Sequence, residues 1–126
     1  MKKELFAALS ILALIIGAVV NVLYLMDLAD GISYHVEASQ QYCRDDDFDQ
    51  AEAELRIALE IWLKADGYTH IFIRHVEIDG TADAFYDTLS HVMDHDKDSA
   101  VGAYEKLMYH INSIVSMEKV TIKSVF

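Results

Sequence analysis

The chain has 126 residues, enough for one small domain. It carries 21 acidic and 10 basic residues, a formal net charge of −11, and 53% of its residues are hydrophobic. So acidic a balance excludes a nucleic-acid-binding protein, because phosphate groups would be repelled. The single cysteine, Cys43, excludes an internal disulfide and is expected to be a buried, inert thiol.

The apolar residues are concentrated near the start of the chain. Residues 5–26, LFAALSILALIIGAVVNVLYLM, contain no charged side chain. As a helix they would be about 33 Å long, enough to cross a hydrocarbon core of about 30 Å. The run is longer than the apolar region of a cleaved signal, and the residues after it match a cleavage site poorly. We therefore predict an uncleaved, single-span membrane anchor.

Charges on the two sides of this segment predict its orientation. Two lysines precede it, and two aspartates, Asp27 and Asp30, follow it. The positive-inside rule then places residues 1–4 in the cytoplasm and residues 27–126 in an extracytoplasmic domain of the cell membrane. Without the two lysines and one glutamate of the first four residues, this domain holds 8 basic and 20 acidic residues, a net charge of −12.

One stripe of the predicted span is made of small and polar residues. Ser10, Ala13, Gly17 and Asn21 are three or four residues apart, and the opposite side is Leu, Ile and Val. Small residues let membrane helices approach closely, and a polar side chain adds a hydrogen bond across the contact. The stripe predicts a helix-packing interface with a second copy or a multi-pass protein, although small residues are also common in spans that pack against nothing.

The rest of the chain has no proline and shows helical periodicity in four stretches. One helix is predicted over residues 4–43, continuous with the span, and Asp46 or Asp47 is predicted to cap the next. The tail KVTIKSVF shifts towards alternation and is expected to lie back on the bundle in extended form. The apolar seams are Leu25, Leu28, Ile32, His35 or Val36, Ser39 and Tyr42; Phe48, Ala51, Leu55, Ala58, Leu59 and Trp62; Ile71, His75, Ile78, Ala82, Phe85, Leu89 and Val92; and Ala100, Tyr104, Leu107, Ile111 and Ile114.

Two segments, DDDFDQAEAELRIAL and DHDKDSAVGAYEKLM, resemble each other at an offset of 49 residues. Each has an acidic turn, then an alanine, then an apolar helix. Two helical hairpins, or one hairpin duplicated, give this pattern. We therefore expect an all-α protein in which the transmembrane helix continues into an antiparallel up-and-down helical bundle.

Two groups of polar residues are candidates for chemistry. His75 with Asp79 one turn later has the spacing of a general base and its orienting carboxylate, but a paired interior histidine is favoured. Asp87, His91 and His95 lie at i, i+4 and i+8, which suits zinc or another divalent metal. The alternative is a solvated helix end, where histidines favour the C-terminal dipole.

The order of these features resembles the bacterial domain-of-unknown-function 4363 family. The matching features are the lysine-flanked span, DDFDQA, Trp62, the HVEID element with His75, Glu77 and Asp79, and the ending MEKVTIKSVF. The resemblance implies an anchored extracytoplasmic helical protein with no assigned activity. The core position of Trp62 is predicted separately, because aromatic residues at seam spacing dominate cores. Some members are encoded beside a multi-pass membrane protein, which implies an accessory subunit.

We therefore predict a membrane-anchored interaction or accessory protein, not an enzyme, that needs no cofactor. Its expected partners are the membrane and either another membrane protein or a second copy, reached through the span. Two alternatives stay open: a metal-binding or metal-sensing domain using His91 and His95, and a small hydrolase around His75 and Asp79. An enzyme needs a concave pocket with converging polar groups, and a bundle of about 100 residues has little room for one.

Overall fold

Four helices account for most of the chain in the computed structural model, which describes residues 1–65 and 75–125, with side chains described for residues 1–65 and 80–116. The helices are α1 (Lys2–Arg44), α2 (Phe48–Lys64), α3 (His75–Met93) and α4 (Lys97–Val125). They form an antiparallel ring in which α1 packs on α2 and α4, and α3 packs on the same two helices. The described residues contain no strand, so the predicted all-α bundle is confirmed.

Every helix turns one face towards a common core, because each carries apolar residues at three- and four-residue steps. The seams of α2 and α4 are confirmed, and Trp62 is only 3% exposed. On α1 the seam ends at Cys43 and not at Tyr42, since the 4, 3, 4 spacing from Ile32 leads to position 43. Burial raises the pKa of the Cys43 thiol, which keeps it protonated. The core contains Leu25, Ile32, Val36, Cys43, Ala51, Leu55, Ala58, Leu59, Trp62, Ala84, Phe85, Leu89, Val92, Ala100, Tyr104, Leu107, Ile111 and Ile114.

The two hairpin turns have the same construction. Asp46 and His95 both take the left-handed conformation, with φ of 61° and 57°. The residue after each closes the turn, as the backbone N–H of Asp47 donates to the Tyr42 carbonyl and that of Asp96 to the His91 carbonyl, both at 2.9 Å.

The same two aspartates then cap the helices that follow. The carboxylate of Asp47 accepts from the N–H of Gln50 at 3.3 Å, and that of Asp96 from the N–H of Ser99 at 3.2 Å. Hydrogen bonding to Ser99 lowers the pKa of Asp96. The cap predicted at Asp47 is confirmed, and the bonds recur at the 49-residue offset seen in the sequence.

Contacts between the two turns follow the same offset. The ring of Phe48 stacks on that of His95, with centroids 4.5 Å apart. The ammonium of Lys97 donates to the Asp46 carboxylate at 3.3 Å and to the Arg44 carbonyl at 2.7 Å. Positions 48 and 97 correspond at an offset of 49, and so do 46 and 95. The hairpins are therefore related by an approximate two-fold axis at this tip of the bundle.

The C-terminal tail corrects one prediction. Residues 119–125 continue α4 as a helix and do not form an extended strand. The alternation in KVTIKSV covers only seven residues, and no glycine or proline lies in the 16 residues of α4 that precede it, 103–118. Alternation this short does not overcome a helix that is already formed.

A small polar network lies inside the apolar core. The hydroxyl of Ser39 donates to the Ala51 carbonyl at 2.6 Å, and the Tyr104 hydroxyl lies 2.6 Å from the same serine oxygen. Because the serine proton is used by Ala51, the Tyr104 hydroxyl donates to Ser39. This arrangement needs a protonated phenol, and burial raises the pKa of Tyr104 to about 12.

We expect the fold to lose stability as the pH rises from about 10 to about 12, because the phenol ionises in the unfolded chain before it ionises in the folded one. The contribution is fully present below pH 10 and amounts to about 2–3 kcal/mol. Tyr104→Phe should abolish this alkaline loss, and Tyr109→Phe, at an exposed position, should leave it unchanged. Urea unfolding at several alkaline pH values measures the effect, and an equal alkaline loss in Tyr104→Phe would contradict it.

Candidate functional site

The two halves of α1 have different surroundings. The first 20 residues are exposed apart from the half-buried Ile15 and Ala18, whereas Leu25, Ile32 and Val36 are buried in the core. Among the described residues, this helix has a stretch long and apolar enough to cross a bilayer, with mean hydropathy 2.6 and only 11% of it buried. So exposed a stretch is not the core helix of a bundle, and an apolar surface of this kind is typical of a membrane span, a signal sequence or a protein interface.

The predicted interface stripe lies mostly on this bare segment. Ser10, Ala13 and Gly17 are exposed, and no described atom lies within 4 Å of a Cβ built on Gly17. The Ser10 hydroxyl donates to the Phe6 carbonyl at 2.9 Å, one helical turn back. Asn21 differs, because it is only 8% exposed and is covered by its own chain. The open part of the stripe therefore ends at Gly17.

The direction of the stripe follows from a residue further along the helix. Gly17 and His35 are 18 residues apart, about five turns of an α-helix, so they face the same way. The His35 imidazole lies 2.7 Å from the Glu54 carboxylate on α2. Helices α1 and α2 are antiparallel, so a step of ten residues from this contact along each helix places Lys64, the end of α2, beside Leu25. Helix α2 has ended at that level, and Gly17 lies further along the same face of α1, where a Cβ would meet no described atom outside its own stretch of helix within 4 Å.

The structure brings two of the three predicted metal ligands, Asp87 and His91, close together and places the third, His95, apart from them. The Asp87 carboxylate is 3.5 Å from the His91 imidazole, and the Asp96 carboxylate is 4.0 Å from it. His95 leaves this set because α3 ends at Met93 and the His95 ring stacks on Phe48 in the turn. Among the residues with described side chains, no three His, Cys, Asp or Glu side chains are placed to hold a metal ion.

A groove between α3 and α4 holds the polar cluster that sequence reasoning missed. It has a volume of about 490 Å³ and is lined by Gly80, Asp83, Asp87, Lys106 and His110. Gly80 lets the helices approach here, since a Cβ at this position would lie 3.2 Å from the His110 ring. The buried Nδ1 of His110 has no hydrogen-bond partner among the described atoms. The groove is open along its exposed carboxylates and does not form an enclosed catalytic cleft.

Two candidates remain, Trp62 and the group around His75. The structure describes the side chain of Trp62 but not those of the His75 group. Trp62 is a core residue, and its side chain lines a small apolar cavity together with Leu25 and Ile114. Helix α3 begins at His75, but the side chains of His75, Glu77 and Asp79 lie outside the described part. The hydrolase interpretation therefore gains no geometry.

Comparison with known proteins identifies one family. A family model described as Domain of unknown function (DUF4363) matches residues 19–125. No curated protein and no solved structure matches the chain. The matched range begins within the apolar part of α1 and includes all four helices of the bundle.

Proposed function

This chain belongs to the DUF4363 family of domains of unknown function, and from that premise we propose that it is a membrane-anchored accessory protein with an extracytoplasmic helical bundle. One observation carries the proposal. Helix α1 runs without a break over Lys2–Arg44. Its start is exposed and apolar, and from Asn21 onwards one of its faces is buried in the bundle core. Anchor and bundle therefore form one rigid body.

The charge distribution supports an extracytoplasmic bundle. Lysines precede the apolar segment and aspartates follow it, as the positive-inside rule requires for a cytoplasmic N-terminal side. The bundle has a net charge of −12 over residues 27–126. Anionic lipid headgroups repel such a surface, so the acidic sides of the bundle do not lie flat against the bilayer.

The span itself supports association with another membrane helix. Ser10, Ala13 and Gly17 present a small-residue surface with no described neighbour, on the face of α1 that carries α2 outside the membrane. A helix packed there, from a second copy or a multi-pass protein, would continue the position that α2 occupies in the bundle. Close approach over small residues is the usual basis of such contacts in lipid.

Gly17→Ile is expected to lower the yield of this association about tenfold, because a contact of this kind contributes about 1–2 kcal/mol. Ala8→Ile is the matched control: it adds the same kind of bulk to a small residue nine positions away, on the opposite face of the helix. The measurement is crosslinking in native membranes through Val20→Cys, an exposed position near the outer end of the span, in a Cys43→Ser background.

Three outcomes are informative. Loss of the crosslinked species in Gly17→Ile alone supports the interface. Equal amounts of the same species in Gly17→Ile and in the parent chain would rule it out. Equal loss in Gly17→Ile and Ala8→Ile would show that bulk anywhere on the span disrupts the complex, so that the stripe has no special part in it.

A further inference from the structure

We infer that the last two turns of α4 enter the outer leaflet of the membrane beside the span, as a second lipid-contacting element. The inference rests on the proposed function, since it takes α1 as a membrane span. It adds that the bundle meets the bilayer through α4 as well as through α1.

The register of α1 against α4 places these turns. The Ser39 and Tyr104 hydroxyls are 2.6 Å apart, and the two helices are antiparallel. Towards the membrane, residue numbers therefore fall along α1 and rise along α4. A small apolar cavity lined by Ala29 and Ile114 fits this register, ten residues from the first pair on each helix. The same count places Val125 beside Ala18.

The burial of α1 agrees with this placement. Asn21 is buried and Ala18 is half-buried, although both belong to the apolar segment. Gly17, at the edge of this covered side, and Val19, on another face, stay exposed. One side of the span is thus covered over about the outer third of its length, while the rest of its circumference is bare.

The length of the span then requires lipid at the level of these turns. From Leu5 to Gly17 the helix has 13 residues, about 20 Å at 1.5 Å per residue. The hydrocarbon core is about 30 Å thick, so roughly 10 Å more must come from the residues that follow. That distance corresponds to about seven residues, 18–24 on α1, and the register places residues 119–125 of α4 beside them.

The composition of α4 changes at the same point. The extracytoplasmic part has a net charge of −12, yet residues 119–126 contain no acidic residue. They contain two lysines, Lys119 and Lys123, four residues apart, among Val120, Ile122, Val125 and Phe126. Lysines can keep their ammonium groups at the headgroups while their stems lie in apolar surroundings. Basic and apolar residues together are typical of segments at an anionic lipid surface.

The test is depth measurement by spin labelling of the full chain in vesicles of phosphatidylcholine and phosphatidylglycerol. Nitroxide labels are placed one at a time at Val120→Cys and Ser124→Cys in a Cys43→Ala background, with retained helicity checked by circular dichroism. Collision with oxygen, which concentrates in lipid, is compared with collision with a water-soluble nickel chelate. Leu12→Cys serves as the control in the span, and Ser90→Cys, exposed on α3, as the aqueous control.

We expect the oxygen-to-nickel ratio at position 124 to be severalfold above that at position 90, with 124 deeper than 120 and less deep than 12. A value at 124 equal to that at 90, with position 12 in lipid, would overturn the inference and leave the membrane anchor intact. Protection of 124 from both reagents would also overturn it, because protein would then cover these turns. An aqueous signal at position 12 would overturn the proposed function itself, and this inference with it.

Discussion

Replacing Leu12 and Ile16 together by arginine is expected to release the chain from the membrane. Both side chains are exposed on the bare part of α1 and lie one turn apart. An arginine near the centre of a span costs about 2.5–3.5 kcal/mol on insertion scales, so two of them offset most of the gain from the apolar residues. The measurement is the fraction of protein that stays in the membrane pellet after an alkaline carbonate wash.

Tyr34→Arg is the matched control for this loss. Tyr34 is 70% exposed on the same helix, but it belongs to the part of α1 within the bundle. The control chain and the parent chain should both resist the wash. Retention of the double-arginine chain in the pellet would mean that something other than this segment holds the protein. Extraction of the parent chain would mean that the segment is no anchor.

Phe85→Ala is expected to lower the free energy of unfolding by about 3–5 kcal/mol, since the cavity left by a buried phenylalanine is only partly filled by its neighbours. The Phe85 side chain is completely buried, in contact with the core that all four helices share. Small domains are stable by about 5–15 kcal/mol, so one such change removes a large part of the total.

Tyr86→Ala provides the comparison at the next residue. Tyr86 is 53% exposed, and its truncation should change the free energy of unfolding by less than about 0.5 kcal/mol. Urea denaturation of the two variants in the same detergent gives both values. Similar losses in the two variants would contradict the orientation of α3, because a rotated helix would bury Tyr86 in place of Phe85.

The helical architecture was predictable because hydrophobic periodicity reports which side of a helix is buried. Steps of three and four residues predicted the core positions of α2 and α4. The absence of proline, with the same steps beyond residue 26, predicted the unbroken α1. Phe85, Leu89 and Val92 on α3 were identified in the same way. These residues are specified locally, so no knowledge of the neighbouring helices was needed.

The errors lie where a neighbour or a backbone torsion decides. His95 has the spacing of a helical metal ligand, but it occupies the left-handed turn position, which corresponds to Asp46 in the first hairpin. The 49-residue offset contains that signal, because it pairs position 95 with position 46. Asn21 fits an open stripe by spacing alone, and only the packing of the chain shows that it is covered. The groove around His110 depends on the close approach of two helices at Gly80, which no pattern in either helix indicates.

The proposed anchor has a mechanical consequence. Helix α1 is continuous over Lys2–Arg44, so in the proposed arrangement a tilt of the span would turn the whole bundle with it. The tip formed by the two acidic turns would then move the most, since it would lie furthest from the membrane. A partner bound to the span would thereby be coupled to whatever contacts the tip, without a flexible linker between them.

Labelling of single cysteines by a membrane-impermeant thiol reagent in intact spheroplasts tests the central claim most directly. Asp98→Cys is exposed beside the tip, and Glu4→Cys lies before the span and keeps both lysines, each in a Cys43→Ala background. We predict that position 98 reacts in intact spheroplasts and that position 4 reacts only after the membrane is opened. Reaction of position 4 from outside, or protection of position 98 until the membrane is opened, would contradict an extracytoplasmic bundle held by an N-terminal anchor.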